Sequence, residues 1–278
     1  MAKFAYVLPD PSSYEEWAQF EEDLACVKRA GYDAVELQIA DPLTFERVRV
    51  AAALDRAGLP LCAFQTGASY ATHGNCLCTA DATVRHRTTN LLKRFVDLAA
   101  ELQAVMVVGS LQGRLKDEPD RTAGSARIAE ALHEVGTHAT ATGVVIAFEP
   151  VNHGEVGFHN TIAEASGLVR RLALPGVRLM VDTFHMNIEE TDMLASLGGT
   201  ADILAHVHLS ETNRDVLGTG HWPTGAFLRE IARIGYQGFC SVGVYNTRCS
   251  RQECIGRCMS VLRRTAEGLT PSECKGQQ

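Results

Sequence analysis

The sequence predicts a single (β/α)8 barrel, and three observations carry that expectation. Short apolar runs rich in β-branched residues alternate eight times with amphipathic stretches of helical period. No linker of distinct composition separates the units. The 278 residues would suit one barrel of about 250 residues or two ordinary domains, so the unbroken alternation decides.

In chain order, Ala5 to Leu8 reads as the first strand. Tyr14 to Ala30 follows as a helix, with Ser12 or Ser13 as N-cap and Gly31 as its stop. Gly31 to Ile39 feeds the second strand, Leu43 to Ala57 returns as a helix, and Leu61 to Gln65 is the third strand. Residues 66–80 are small, polar and long for a connection, which predicts a loop over the site. Asp81 to Leu102 reads as helix, Val105 to Gly109 as the fourth strand, Arg121 to Thr142 as helix and Val144 to Phe148 as the fifth strand. Then come helix Thr161 to Leu172, strand Leu179 to Val181, helix Glu189 to Leu197 and strand Ile203 to Leu209. Helix Thr224 to Ile234, strand Cys240 to Val244 and helix Ser250 to Glu267 complete the barrel, assigned to residues 1–269 with a frayed tail over 270–278.

Hydrophobic residues make up 46% and charged residues 21%, enough for a sizeable core. A net charge of -7 leaves no basic footprint for nucleic acid. Neither a leader segment nor a run of about 18 apolar residues is present, so the expectation is a soluble, cytoplasmic protein with no membrane partner. Nine cysteines, an odd number without a framework spacing, read as reduced thiols. Cys254 and Cys258, with Cys249 ahead of them, could share a helical face as a soft metal site, but no histidine accompanies them.

The chemistry gathers between Val144 and Met186 and just beyond. Apolar strands five and six run out into carboxylates, Glu149 and Asp182, with Glu155 and His185 close behind each. Buried strands that end in acids are what a parallel barrel offers its ligands at the C-terminal face. Strand seven carries His206 and His208 on one face by its period of two, followed by Arg214. Glu149, Asp182 and His208 fall at equivalent heights on neighbouring strands, and two carboxylates with one imidazole suit Mn²⁺ or Mg²⁺. Each acid could instead simply cap the next helix, and His185 and Arg214 could simply brace the carboxylates. His206 reads as a packed barrel residue, Glu36 as either a pocket group or an ion-pair partner, and His221-Trp222 as shaping a loop.

Glu149-Pro150-Val151-Asn152, Val181-Asp182-Thr183-Phe184-His185-Met186, the strand-seven run through Arg214 and Gly218-Thr219-Gly220-His221 resemble the xylose-isomerase-like TIM-barrel superfamily. The resemblance spans essentially the whole chain and is strongest to the ketose 3-epimerases, such as D-tagatose and D-psicose 3-epimerase, with hydroxypyruvate isomerase as a relative. It implies an isomerase acting on a small sugar, with Glu149 as catalytic base and metal ligand and Asp182 and His208 as further ligands. Glu155, His185 and Arg214 would bind substrate oxygens. The implied cofactor is a divalent metal, Mn²⁺ first, with Mg²⁺ or Co²⁺ as alternatives. A homodimer or homotetramer is implied as well. The abasic-site endonucleases share the barrel, but they would need more strand-end histidines and a basic groove.

Strand eight departs from the pattern. The resemblance leads one to expect a glutamate as fourth ligand and second catalytic carboxylate, where this chain has Gly243 within Ser241-Val242-Gly243-Val244-Tyr245. Epimerisation normally needs two acid/base groups on opposite faces, whereas a hydroxypyruvate-type isomerisation can run on one base. Three readings stay open in the sequence: an isomerase or lyase working through Glu149, a sugar-binding relative without catalysis, or a substitution that blocks turnover.

Overall fold

The computed structural model describes residues 2–267, and its eight parallel strands close into one barrel in the order β1 to β8. These are β1 (Lys3–Leu8), β2 (Ala34–Gln38), β3 (Leu61–Gln65), β4 (Val105–Val108), β5 (Ile146–Phe148), β6 (Val177–Asp182), β7 (Leu204–Ser210) and β8 (Phe239–Gly243). Strand β8 closes the ring against β1, with Ala5 opposite Ser241. The tail beyond residue 269 lies outside the described residues. None of the described helices is long and apolar enough to cross a membrane.

Ten α-helices run between and after the strands: α1 (Trp17–Ala30), α2 (Arg47–Ala57), α3 (Ala68–His73), α4 (Ala82–Leu102), α5 (Arg121–Thr142), α6 (Ile162–Leu172), α7 (Thr183–Glu189), α8 (Met193–Gly198), α9 (Thr224–Arg233) and α10 (Arg251–Glu267). The expected stop at Gly31 holds, and side-chain caps start several other helices. Gly31 ends α1 in the left-handed region at φ 93°, and the Asp81 and Asp120 side chains cap α4 and α5. Thr161 and Glu164 form a reciprocal capping box at the start of α6.

Three expectations are corrected. Helix α1 is capped by neither serine: Pro11–Ser13 form a separate 3-10 turn held by the Asp10 side chain. The predicted loop 66–80 contains α3, because Gly67 and Gly74 bracket a run that forms local hydrogen bonds. The helix expected over Glu189 to Leu197 starts later, and an unexpected one precedes it. Helix α7 starts directly on Asp182 and ends before Glu190, and Asp192 caps a new one.

The strand period of two sorts the barrel interior into layers. At the bottom, Ala5, Ala34, Ala63, Val107, Ala147 and Met180 form a small apolar plug. Above it lie polar side chains, Glu36, His206 and Ser241, all fully or almost fully buried. The larger core packs between strands and helices, with Phe64, Phe95, Phe148, Phe158 and Phe227 inaccessible to solvent.

Phe158, in the segment that carries Glu155, packs on α5 where Gly124 leaves room: a Cβ there would overlap the ring. Gly124→Ala adds helix propensity of about 1 kcal/mol but overpacks a rigid ring at about 1–3 kcal/mol. Net destabilisation is therefore expected in urea unfolding, and Phe158→Leu should relieve it. A clear rise in the Gly124→Ala midpoint would contradict this packing.

Candidate active site

At the C-terminal ends of the strands the barrel opens into a cavity of about 380 Å³. Strand ends contribute Gln38, Gln65, Glu149, Asp182 and His208, while the following loops add Ser110, Glu155, His185, Arg214 and Tyr245. The six residues expected at a site therefore converge on one cavity.

Glu149, Asp182 and His208 approach within 4.8 Å of one another through one ligand atom each. His208 Nδ1 lies 3.6 Å from Asp182 Oδ2 and 3.9 Å from Glu149 Oε1. The far side of that imidazole is fixed: Nε2 donates to Glu36 Oε1 at 2.8 Å, while His206 Nε2 meets Glu36 Oε2 at 2.7 Å. Burial alone would neutralise Glu36, but His208 and His206 hold its carboxyl well below the usual range. Burial likewise opposes charge on His208, yet Glu36 and the hydrogen bonds to Asp182 and Glu36 raise it well above an ordinary imidazole. The carboxylate behind keeps a proton on Nε2 and turns Nδ1 to the cavity, where a cation would have to replace the Nδ1 proton.

The two cavity carboxylates differ. Burial pushes Glu149 up to about 8, and the neighbouring Asp182 and Glu36 charges add to it against His208 and Arg214. Asp182 feels the same burial, but Arg214, His185 and the His208 hydrogen bond hold it well below the usual range. Asp182 also caps α7, its Oδ1 accepting from the Phe184 N–H at 2.7 Å. Capping and cavity position thus coexist in one residue. This donor set, two carboxylates and an outward Nδ1 with one acid short of compensating positive charge, fits a hard or borderline divalent cation.

Arg214 spans the rim. Its guanidinium stacks 3.9 Å from the Phe184 ring centroid and reaches Asp182 Oδ2 at 3.4 Å, Glu155 Oε1 at 3.5 Å and His185 Nε2 at 3.2 Å. Its backbone sits in the left-handed region at φ 60°, held where the Tyr245 and Asn246 N–H groups donate to its carbonyl. Such a conformation costs a non-glycine residue about 1–3 kcal/mol, and here it aims the side chain inward. Asn152, 3.0 Å from Glu155 Oε1 and 2.8 Å from His185 Nδ1, ties the remaining two together.

The xylose isomerase-like TIM barrel family model matches residues 24–265. The chain belongs to that family. Within it, a ketose 3-epimerase of Arthrobacter globiformis is 35% identical over 213 residues, covering 76% of this chain and 72% of the relative. An L-ribulose 3-epimerase of Mesorhizobium japonicum is 31% identical over 222 residues, covering 79% and 73%. A solved L-ribulose 3-epimerase superposes with a TM-score of 0.83 at 25% identity, over 98% of this chain and 99% of that one. The relatives are sugar epimerases of the isomerase class, and the chain stands among the ketose 3-epimerases.

Strand β8 offers the cavity no acid at its end. Gly243 ends it, and the space above is filled by Tyr245, whose ring carbon lies 2.7 Å and whose hydroxyl lies 3.0 Å from where a Cβ on Gly243 would be. The ring is partly exposed, while the hydroxyl turns into the cavity and accepts from Gln65 Nε2 at 3.2 Å. Burial pushes this phenol up to about 12, so it is protonated at neutral pH. Sequence reasoning left Tyr245, Gln38, Gln65 and Ser110 out of the site. The strand-end rule that found Glu149 would also have flagged the two glutamines, which end β2 and β3. His206 is hydrogen-bonded to the buried Glu36, His221 contacts Thr212 Oγ1 at 3.3 Å, and Trp222 is buried beside Phe227. No third ligand gathers on Cys254 and Cys258 among the described residues.

Glu36→Gln should weaken divalent-cation binding by about 10–100-fold and cost about 3–5 kcal/mol of stability by leaving the imidazoles without their counter-charge. Titration with Mn²⁺ and chemical unfolding read the two effects, and a variant that binds as the parent does would sink the clamp. Gly109 is the second lever, since a Cβ there would overlap Glu149 Oε2. Gly109→Ala should shift that flexible carboxylate and lower cation affinity at least about tenfold, with a smaller effect on stability; intact affinity would show that Glu149 is not a ligand.

Proposed function

We propose that the chain is a divalent-metal-dependent epimerase acting at C3 of an unphosphorylated ketose, with Glu149 as base. The observation that carries this reading is the convergence of Glu149, Asp182 and the Glu36-oriented His208 in the cavity of a ketose 3-epimerase barrel. Those three residues would hold the cation, Mn²⁺ in our reading, which when bound would polarise a carbonyl oxygen and make the neighbouring C–H more acidic. Unphosphorylated substrate is favoured because, among the described residues, the one arginine or lysine lining the cavity is Arg214, which already faces Asp182 and Glu155. The reading also includes cytoplasmic residence and, as the resemblance implies, a homodimer or homotetramer.

The residues divide the work by position. Arg214, His185 and Glu155 orient substrate oxygens at the rim, and Gln38 and Gln65 offer amides to hydroxyls across the mouth. Glu149, buried and raised toward neutrality, takes the C3 proton. Tyr245 stands above β8, three strands round the ring from β5, in the space of the absent carboxylate. Its phenol delivers a proton to the other face of C3, and solvent then returns the Glu149 proton to the phenolate. The absence of a carboxylate at Gly243 favours one second reading, a single-base isomerisation that moves the proton along one face.

Solvent deuterium uptake into a panel of ketoses, with Mn²⁺ or with chelator, separates these readings. Expected are Mn²⁺-dependent label at C3 and 3-epimer product, both falling by at least about a hundredfold in Glu149→Gln. Tyr245→Phe should lose epimer while keeping label in recovered substrate; unchanged epimerisation removes Tyr245 from the mechanism. An aldose product would install the single-base reading. No label from any ketose would sink catalysis and leave sugar binding. Gly243→Glu must displace the Tyr245 ring, and it should raise epimerisation at least about tenfold by restoring a carboxylate.

A further inference from the structure

Outside the active site, two thiols and a carboxylate meet in a place that ketose epimerisation does not use. Cys76 and Cys78 follow α3 in the segment before α4, and both are buried. Their sulfurs lie 3.4 Å apart. Asp117, beyond β4, brings a carboxylate oxygen within 4.8 Å of both. We propose that Cys76, Cys78 and Asp117 form a structural site for a thiophilic divalent cation of the Zn²⁺ type, stapling residues 66–80 to residues 109–117.

The surroundings are built around the pair. Gly113 stands against it at φ 95°, and a Cβ there would overlap both sulfurs, so the fold keeps that space for the thiols. Backbone bonds hold the two segments in register: Leu77 N–H to Leu111 O at 2.9 Å, Cys78 N–H to Gln112 O at 3.2 Å. Asp117 is oriented by the Tyr70 hydroxyl at 2.6 Å and the Arg114 N–H at 2.9 Å, both on Oδ2. Two oriented thiols and an oriented carboxylate leave a fourth position for water, as tetrahedral sites with N, O and S ligands allow.

Distance selects between a cation and a disulfide. Zn–S bonds of about 2.3 Å at a tetrahedral angle put sulfurs about 3.8 Å apart, whereas a disulfide needs about 2.05 Å. From 3.4 Å the pair must part by a few tenths of an ångström for the cation and close by more than three times that for the bond. The two sulfurs already share one hydrogen bond, in which either thiol can be the donor. A cation would take the proton's place, releasing the thiol protons to solvent.

The staple would bear on the cavity. Gly67, Ala68 and Ser110 line it, and the Gln112 amide donates to the Glu149 carbonyl at 2.8 Å. The two segments it joins thus carry part of the cavity wall and the backbone of its base.

Cobalt(II) titration of the reduced, metal-stripped full chain tests the site, because only sulfur ligands give intense thiolate-to-cobalt charge-transfer absorption and the Glu149 centre has none. The expected result is a saturable band, displaced by Zn²⁺, present in Asp182→Asn and lost in Cys76→Ser and in Cys78→Ser. Asp117→Asn, at a partly exposed position, should weaken it at least about tenfold and serves if the serine variants fail to fold. No band from the reduced parent, the same band in Cys76→Ser, or unchanged affinity in Asp117→Asn would each overturn the proposal. Retention in Asp182→Asn shows that it stands apart from the epimerase reading.

Discussion

Glu36 is a carboxylate with no solvent exposure, in the interior of a barrel, accepting from two histidines at 2.7 and 2.8 Å. Removing such a charge from water costs several kcal/mol, recovered only where counter-charge and hydrogen bonds are in place. Strand β2 supplies the acid and β7 both imidazoles, so strands far apart in sequence must meet before it is compensated. The pair therefore couples barrel closure to site assembly. It also fixes the His208 ring by its far nitrogen, as outer partners do for metal-ligating histidines.

Above that pair, the cavity is arranged by charge. Asp182 has Arg214, His185 and His208 beside it and stays ionised, while Glu149 is left at about 8. Two acids on adjacent strands are thus pushed apart in their protonation by their environments. The left-handed backbone of Arg214 belongs to the same design: its strain is offset by bonds from Tyr245 and Asn246, which tie the β7 loop to the chain leaving β8. Tyr245 thereby has a place of its own, with or without an acid at Gly243.

The wall opposite these charges is made by the segments after β3 and β4. They contribute small residues, Gly67, Ala68 and Ser110, and their rigidity rests on backbone pairing around the Cys76 and Cys78 thiols. A pocket that shapes a small polar ligand needs such a wall as much as it needs the acids, since loops without packing would leave the ligand's free face to water.

By itself the sequence determined the barrel, its eight units and six cavity residues, because strand period, helix caps and strand-end acids are local patterns readable in a single chain. Local ambiguity blurred the rest: the helix expected from Glu189 starts only after the Asp192 cap, with α7 ahead of it, and a polar stretch proved to contain α3. Only the tertiary structure decided that Glu36 is an internal ion-pair partner, that Tyr245 fills the space over Gly243, and that Cys76 and Cys78 meet Asp117. Each joins positions separated by tens to hundreds of residues or depends on how a ring turns over its own strand. Spacing along a chain carries no record of such meetings; closing the barrel creates them.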